Sequence, residues 1–310
     1  MSNGLKTFFT ELADVYRGAT ETTEKIVANT LPSKFEELLA SGGTGGSLPE
    51  GIYYEALARL PKYHEAHRLF TWQGGLYLYV VTSTTNRTSN IYKYDNNAYT
   101  LITSITNTNI CNDTNLSPGV EYNGKVYFNK SKLLVEWDGS SMNEVNSSMP
   151  YSNLDGYSEL FIFNNELYYA KSDKKLYVYK INSDYTLTEV LQWGSYPYIQ
   201  AFYNVGNEVY AFSGTYRKLY KFDGSNFIEH MSFNDGGPAN GYAVINGKLY
   251  IGSFSGTNYG TISEIDLEQK TYKTYNLPFG FKNIVAFNNN IHITDNFKYY
   301  NHIKGYIVNG

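Results

Sequence analysis

The side chains that could do chemistry in this chain are few and scattered. His64 and His67 stand three apart in "HEAH". On a helix that spacing could hold a metal, but the His-Glu-x-x-His pattern of zinc proteases is absent. The single cysteine, Cys111, lies among polar residues in "NTNICNDTN" and reads as an inert thiol in a polar loop. With one cysteine, disulfides cannot hold the fold together. No Gly-x-Ser-x-Gly elbow, phosphate-binding loop or Rossmann fingerprint occurs. "DNN" (95–97) and "NDTN" (112–115) lack the spacing of a calcium loop and read better as turns. Asp and Glu are dispersed, so the carboxylate pair that cleaves glycosides would have to be assembled by the fold. No catalytic residue, metal or cofactor is expected.

What the chain does offer is aromatic surface beside amides. It has 32 Tyr and 17 Phe against 4 Met, a composition suited to pleated, half-buried surfaces. Tyr63, Trp193, Tyr196, Tyr198, Tyr259, Phe279 and Phe281 fall near loops that also carry Asn86, Arg87 and Asn258. Aromatic faces stack on sugar rings, and amides hydrogen-bond hydroxyls. These ten residues form the candidate ligand-binding set, and a glycan is the ligand they suit. The competing reading is that aromatic residues near strand ends pack between sheets.

The elements that must position these residues repeat. The apolar residue after each tight turn is Leu76, Val126, Leu167, Val209, Leu249 or Ile291, at intervals of 50, 41, 42, 40 and 42. Five of the six are followed by Tyr, the last by His292. Each unit reads as four strand-like runs, as in "GYAVI", "KLYIGSF", "ISEID" and "TYKTYNLP". That period predicts a β-propeller. The expected fold is mainly β, a six-bladed propeller of four-stranded antiparallel blades. Five blades are the alternative if the first, wider unit is misaligned. The sixth copy lacks a fourth strand, and "GIYYEALARLP" (51–61) resembles one. Residues 51–60 are therefore expected to complete the last blade and close the ring, removing an exposed edge.

In such blades the first-to-second and third-to-fourth turns share one face. Asn-Gly and Asp-Gly pairs make that face short-looped. The long segments, including 82–90, 107–119, 192–198, 233–241, 253–260 and 277–281, go to the other. Long loops on a rigid scaffold usually carry the function, so the long-loop face is the expected binding face.

Residues 1–40 read differently. Leu5, Phe8, Phe9, Leu12 and Tyr16 have helical spacing, and Ser33 with Glu36 has capping-box spacing before Leu38. "SGGTGGS" (41–47) lies in a flexible linker, 41–50. A helical arm this short buries no core of its own, so Phe8, Phe9, Leu12, Tyr16, Phe35 and Leu38 are the candidate docking residues. The N-terminus shows no basic region followed by an apolar run, so no secretory signal is expected. No apolar run approaches a membrane span, and the net charge of -4 offers no nucleic-acid patch.

The run "LADVYRGATETTEKIVANTLPSKFEELLA" (12–40) resembles a segment near the start of tail-fibre and minor tail proteins of phages of low-GC bacteria. Leu12, Ala13 and Arg17 match its first helix, Thr22, Thr23, Lys25 and Ile26 its turn, and Pro32, Phe35 and Leu38 its second helix. Tyr16 and "VANTLPSKF" depart from it. The resemblance implies a virion protein of the tail or baseplate, made in the host cytoplasm. Its arm would attach to other virion proteins, and its C-terminal part would face the host. Such fibres are usually homo-oligomers, often trimers, though the arm lacks the heptads of a coiled coil. The remainder is similar to kelch-like propellers in period and in the "NGKLY…LYKFDG" phrase. The function expected is host attachment through glycan binding. The alternatives are a purely structural virion component and a glycan depolymerase.

Overall fold

The computed structural model describes residues 51–59, 66–83, 86–107, 109–111, 116–150, 157–172, 175–194, 198–233, 239–255, 259–277, 281–295 and 301–308. The candidate arm and linker, residues 1–50, lie outside them. Among the described residues there is no helix, and the chain is strands, turns and short connections.

Strands follow one another as antiparallel neighbours. The first sheet is β2 (Ala66–Trp72), β3 (Gly75–Ser83), β4 (Thr88–Asp95) and β5 (Ala98–Thr106). The second is β6 (Val120–Tyr122), β7 (Lys125–Lys130), β8 (Leu133–Trp137) and β9 (Met142–Asn146). The third is β10 (Tyr157–Phe163), β11 (Glu166–Ser172), β12 (Leu176–Ile181) and β13 (Leu187–Trp193). The fourth is β14 (Ile199–Val205), β15 (Glu208–Ser213), β16 (Lys218–Phe222) and β17 (Phe227–Ser232). Next come β18 (Ala239–Ile245), β19 (Lys248–Ser255), β20 (Tyr259–Asp266) and β21 (Thr271–Leu277), then β22 (Phe281–Phe287) and β23 (Asn290–Asp295). One parallel bridge, Gly241 to Ile284, joins β18 to β22.

The chain divides into two compact units, residues 57–303 and residues 1–56 with 304–310. In the smaller, β1 (Gly51–Arg59) is the hydrogen-bonded neighbour of β24 (Asn301–Val308). In the larger, the first strands form a cycle. β2 neighbours β6, β6 neighbours β10, and the series runs through β14 and β18 to β22, which returns to β2.

The turns explain why the sheets form where they do. Gln73-Gly74, Asn96-Asn97, Asn123-Gly124, Asn164-Asn165, Asn246-Gly247 and Asn288-Asn289 all have positive φ at both central residues. This is the type I′ geometry whose twist matches paired strands. Asn tolerates it because its short side chain bonds locally, and Gly because it has no Cβ.

The cores lie between consecutive sheets of the larger unit, because each second strand is buried on both sides. Val126 and Phe128 pack toward the first sheet with Phe70, Tyr79 and Trp137, whereas Tyr127 packs toward the third with Leu160 and Tyr169. This is the two-residue alternation of a strand, used with both faces covered. All six aligned apolar residues, Leu76 to Ile291, are buried, as is the residue after each. Cys111 departs from its expected setting: it is fully buried with Ile105, Ile110 and Tyr79, because Ile110 and Leu116 carry its segment into the core.

Candidate functional site

The residues expected to bind ligand separate into three groups. Asn86 and Arg87 form an exposed turn between β3 and β4, with Arg87 at φ 54° and the Asn86 N–H donating to Ser83 Oγ at 2.9 Å. Tyr198, immediately before β14, is exposed at 38%. These lie at the long-loop end of the first and fourth sheets. Trp193 and Phe281 are different. Trp193 closes β13, and its ring meets Tyr220 at 5.1 Å and Phe227 at 5.4 Å on the next sheet. Phe281 is fully buried, and a Cβ on Gly252 would stand 2.4 Å from its ring. Both belong to packing between sheets, where an aromatic ring buries the most area. Full burial takes Phe281 off the ligand surface expected for it, whereas Trp193 is half-buried and keeps part of its surface exposed. Tyr63, Tyr196, Asn258 and Phe279 lie outside the described residues, as do Phe8, Phe9, Leu12, Tyr16, Phe35 and Leu38. Tyr259 falls within β20, but its side chain is outside them.

Among the described residues, a concave surface stands at the opposite end of the sheets. A cleft of about 540 Å³ opens between the second and third sheets beside their turns. That volume is within the roughly 300–1,000 Å³ range of small-molecule sites. Tyr122, Asn123, Lys125 and Tyr127 line one wall. Glu166, Lys180, Asn182, Ser183 and Tyr185 line the other.

Behind the lining residues Lys125, Tyr127 and Tyr185 stands a carboxylate that accepts a bond from each of them. Glu136, on β8 and only 5% exposed, accepts from Lys125 Nζ at 2.7 Å, Tyr127 OH at 2.9 Å and Tyr185 OH at 2.6 Å. The last bond crosses from the third sheet to the second. Across the cleft, Lys180 Nζ donates to Glu166 Oε1 at 2.5 Å, and Tyr168 OH donates to Glu166 Oε2 at 3.3 Å.

This arrangement has a structural origin. Lys125, Glu166, Glu208 and Lys248 each precede an aligned apolar residue, and their partners Glu136, Lys180, Lys221 and Glu264 face them on the third strand. Four sheets therefore carry the same ion pair, in either sense. The third sheet adds a distinctive connection. Residues 182–186 form a five-residue loop in which Asp184 Oδ1 accepts the Thr186 N–H at 3.1 Å and its hydroxyl at 2.6 Å. The loop holds Tyr185 at φ 63°, and Asn146 Nδ2 donates to the Tyr185 carbonyl at 2.8 Å. The phenol is thus presented to Glu136 by a braced loop.

The electrostatics make the cleft a poor acid–base site. Burial acts to raise the Glu136 carboxyl, but bonds from Lys125, Tyr185 and Tyr127 outweigh it and hold it below its ordinary value. The bond from Lys180 lowers Glu166. Tyr127 is raised by burial first, Tyr185 first by its bond to Glu136. No group here is both near neutral pH and free to move a proton, as general acid–base catalysis requires.

A second cavity of about 210 Å³ lies among the first strands, lined in part by Arg68, Asn204, Tyr242 and Asn283. Its polar groups are engaged by their neighbours. Arg68 Nη1 donates to Asn283 Oδ1 at 2.7 Å. Asn204 Oδ1 accepts the Ile162 N–H at 3.0 Å and its Nδ2 donates to the Ile162 carbonyl at 2.5 Å. The Asn204 N–H donates to Tyr242 OH at 3.1 Å. On β10, desolvation raises the Glu159 carboxyl to about 8, against the Phe202 N–H and the Arg68 charge.

Sequence reasoning missed the cleft, because short turns promised a featureless surface. The available signal was the Lys or Glu before four of the six aligned apolar residues, joined to a third-strand partner of opposite charge.

No protein-family model matches the chain, and no curated protein matches it. Solved structures do. The chain is similar to a luciferin-regenerating enzyme at 15% identity and a TM-score of 0.58, covering 84% of this chain and 96% of that one. It is similar to the WD40 β-propeller domain of Doa1 at 11% identity and a TM-score of 0.52, covering 81% and 96%. The extracellular domain of the one-component system BT4673 from B. thetaiotaomicron matches at 10% identity and a TM-score of 0.52, covering 81% of this chain and 39% of that one. At these identities the likeness shows the fold, a β-propeller, and carries no activity across.

Proposed function

We propose that this chain is a virion protein that holds a host-surface glycan without cleaving it. Residues 1–40 attach it to other tail or baseplate proteins, as the resemblance of residues 12–40 implies. Residues 51–310 form a six-bladed propeller, with residues 51–60 completing the last blade. The cycle of first strands within residues 57–303 supports the closed ring.

The observation that carries the binding role is the cleft between the second and third sheets. Three tyrosines, two asparagines, Lys125 and the Glu166–Lys180 ion pair line it. Rings supply apolar area for the C–H face of a sugar, and polar groups fixed beforehand limit the ordering cost of binding. The saturated Glu136 favours binding over hydrolysis. Many copies on one particle would raise a weak single-site affinity.

Labelled full-length protein should bind host cells and purified cell-wall polysaccharide and release no reducing sugar. Absence of binding to both would leave the structural virion role. Release of reducing sugar would establish the depolymerase.

A further inference from the structure

We infer that the cleft between the second and third sheets takes a neutral saccharide, one without carboxylate, phosphate or sulfate groups. This rests on the reading of the cleft as the glycan site and goes further by fixing the class of sugar.

The argument begins with charge. The cleft is lined by two ammonium groups, Lys125 and Lys180, and one carboxylate, Glu166. Glu136, behind the lining, pairs with Lys125 as Glu166 pairs with Lys180, each within 3 Å. Over these two pairs the formal sum is zero, and Asp138 and Asp184 on the bordering loops add negative charge. Side-chain exposure is 40% for Lys125, 36% for Lys180 and 41% for Glu166, but only 6% for Glu136. A ligand anion reaching either ammonium must displace or share a carboxylate already in contact with it. A ligand cation meets the same obstacle with the signs exchanged. A hydroxyl meets neither. It donates and accepts at once, so it can lie on an ion pair, accepting from the ammonium and donating to the carboxylate.

The free valences match. Each ammonium has three N–H groups and spends one on its carboxylate. Asn182 Nδ2 is engaged by Thr186 Oγ1 at 2.9 Å and Thr188 Oγ1 at 3.1 Å, which holds the amide in place and leaves its oxygen as an acceptor. The rings of Tyr122 and Tyr185 flank Tyr127 at 6.3 and 6.4 Å, giving an apolar patch among these donors and acceptors. The protonation states support the same conclusion, since the carboxylates are lowered, and Lys125, Lys180, Tyr127 and Tyr185 are raised, away from neutral pH. The balance therefore holds across mildly acid and mildly alkaline solution.

The test is calorimetric titration of the full chain with neutral hexose and N-acetylhexosamine disaccharides, and with uronic-acid and phosphate-bearing counterparts. Neutral sugars should bind with a Kd that moves less than about twofold between 0.05 and 0.5 M salt and between pH 5.5 and 8.5. Charged counterparts should bind about tenfold or more weakly. Glu166→Gln leaves the Lys180 ammonium without its carboxylate partner, and it should admit the uronic-acid sugar about tenfold better while the neutral sugar changes little. A merely structural Glu166 would not produce that exchange of preference. Tighter binding of charged sugars by the native chain, with a steep salt dependence, overturns the inference. So does an unchanged preference in Glu166→Gln. If the chain binds cells but no sugar is affected by Glu166→Gln or Tyr185→Phe, the glycan site lies elsewhere and the inference fails, while host attachment stands. If it binds no cells at all, the attachment reading falls as well.

Discussion

The two ends of the propeller sheets solve different problems with the same strands. At the turn end two residues join the first two strands of a sheet, often Asn or Gly at positive φ. The last two strands are mostly joined by four, at 138–141, 223–226 and 267–270. The side chains beside these turns are ion-paired and braced. At the long-loop end the described candidates, the Asn86-Arg87 turn and Tyr198, are exposed and stand on different sheets. Loop length alone favours the second as the place for function. Prearranged chemistry favours the first. One residue more in a turn, at 182–186, brings a phenol across to the neighbouring sheet, and a regular surface becomes a cleft. Regular scaffolds acquire sites where the repeat is broken, and the break can be small.

Substitutions can break or sharpen this contrast. The largest effect is expected from Trp193→Ala, which removes a ring wedged on Tyr220 and Phe227. Chemical denaturation should show a loss of about 3 kcal/mol, with glycan binding by the folded fraction preserved. Lost binding at unchanged stability would keep Trp193 on the ligand surface.

Comparable in size, and belonging to neither end, is the pH response of Glu159. Its folded carboxyl is raised to about 8 from an ordinary 4.5, so the folded state holds this proton more tightly than the unfolded chain. Its stabilising share is full below the unfolded value and is lost as pH rises through the folded one. Stability should therefore fall between about pH 5 and 8, by on the order of 2–4 kcal/mol, and Glu159→Gln should flatten the slope. A native profile flat over that range would refute the assignment.

Next come the turn glycines. Gly139 sits at φ +101°, and a Cβ there would come within 2.3 Å of the Trp72 ring; Gly247 at φ +77° has open space around it. Gly139→Ala should cost about 2–3 kcal/mol through clash and strain, and Gly247→Ala about 1 kcal/mol through strain alone. Equal costs would mean that Trp72 yields freely.

Smaller again is Tyr185→Phe, which deletes one bond to Glu136. Stability should drop by about 1 kcal/mol, while glycan affinity falls about tenfold. The smallest is Tyr198→Ala at the long-loop end, with stability within about 0.5 kcal/mol of the native chain and affinity unchanged.

Much of the fold was legible in the chain. The period from Leu76 to Ile291 located the second strands, and the Asn-rich pairs before them are the observed type I′ turns. Both signals are local, written in strand alternation and turn chemistry, and so they survive without knowledge of the fold. The site was less legible. Trp193 and Phe281 looked like ligand surface, because a sequence gives a residue's nearness to a loop and not the neighbour it packs against. Glu136 meets Tyr185 over 49 positions, a pairing that exists only once two sheets stack. The charge alternation of Lys125 with Glu136 and Glu166 with Lys180 was visible, but it acquires meaning only when its strands are known to be adjacent.

The most direct test of the central claim, that the turn-end cleft holds the glycan, is binding of full-length protein to host cells by three forms in parallel. These are the native chain, Tyr122→Ala with Lys180→Met in the cleft, and Asn86→Ala with Tyr198→Ala at the long-loop end, each confirmed folded by its unfolding transition. The cleft variant should lose about tenfold or more in affinity and the long-loop variant should match the native chain. Full binding by the cleft variant together with loss in the long-loop variant would contradict the account.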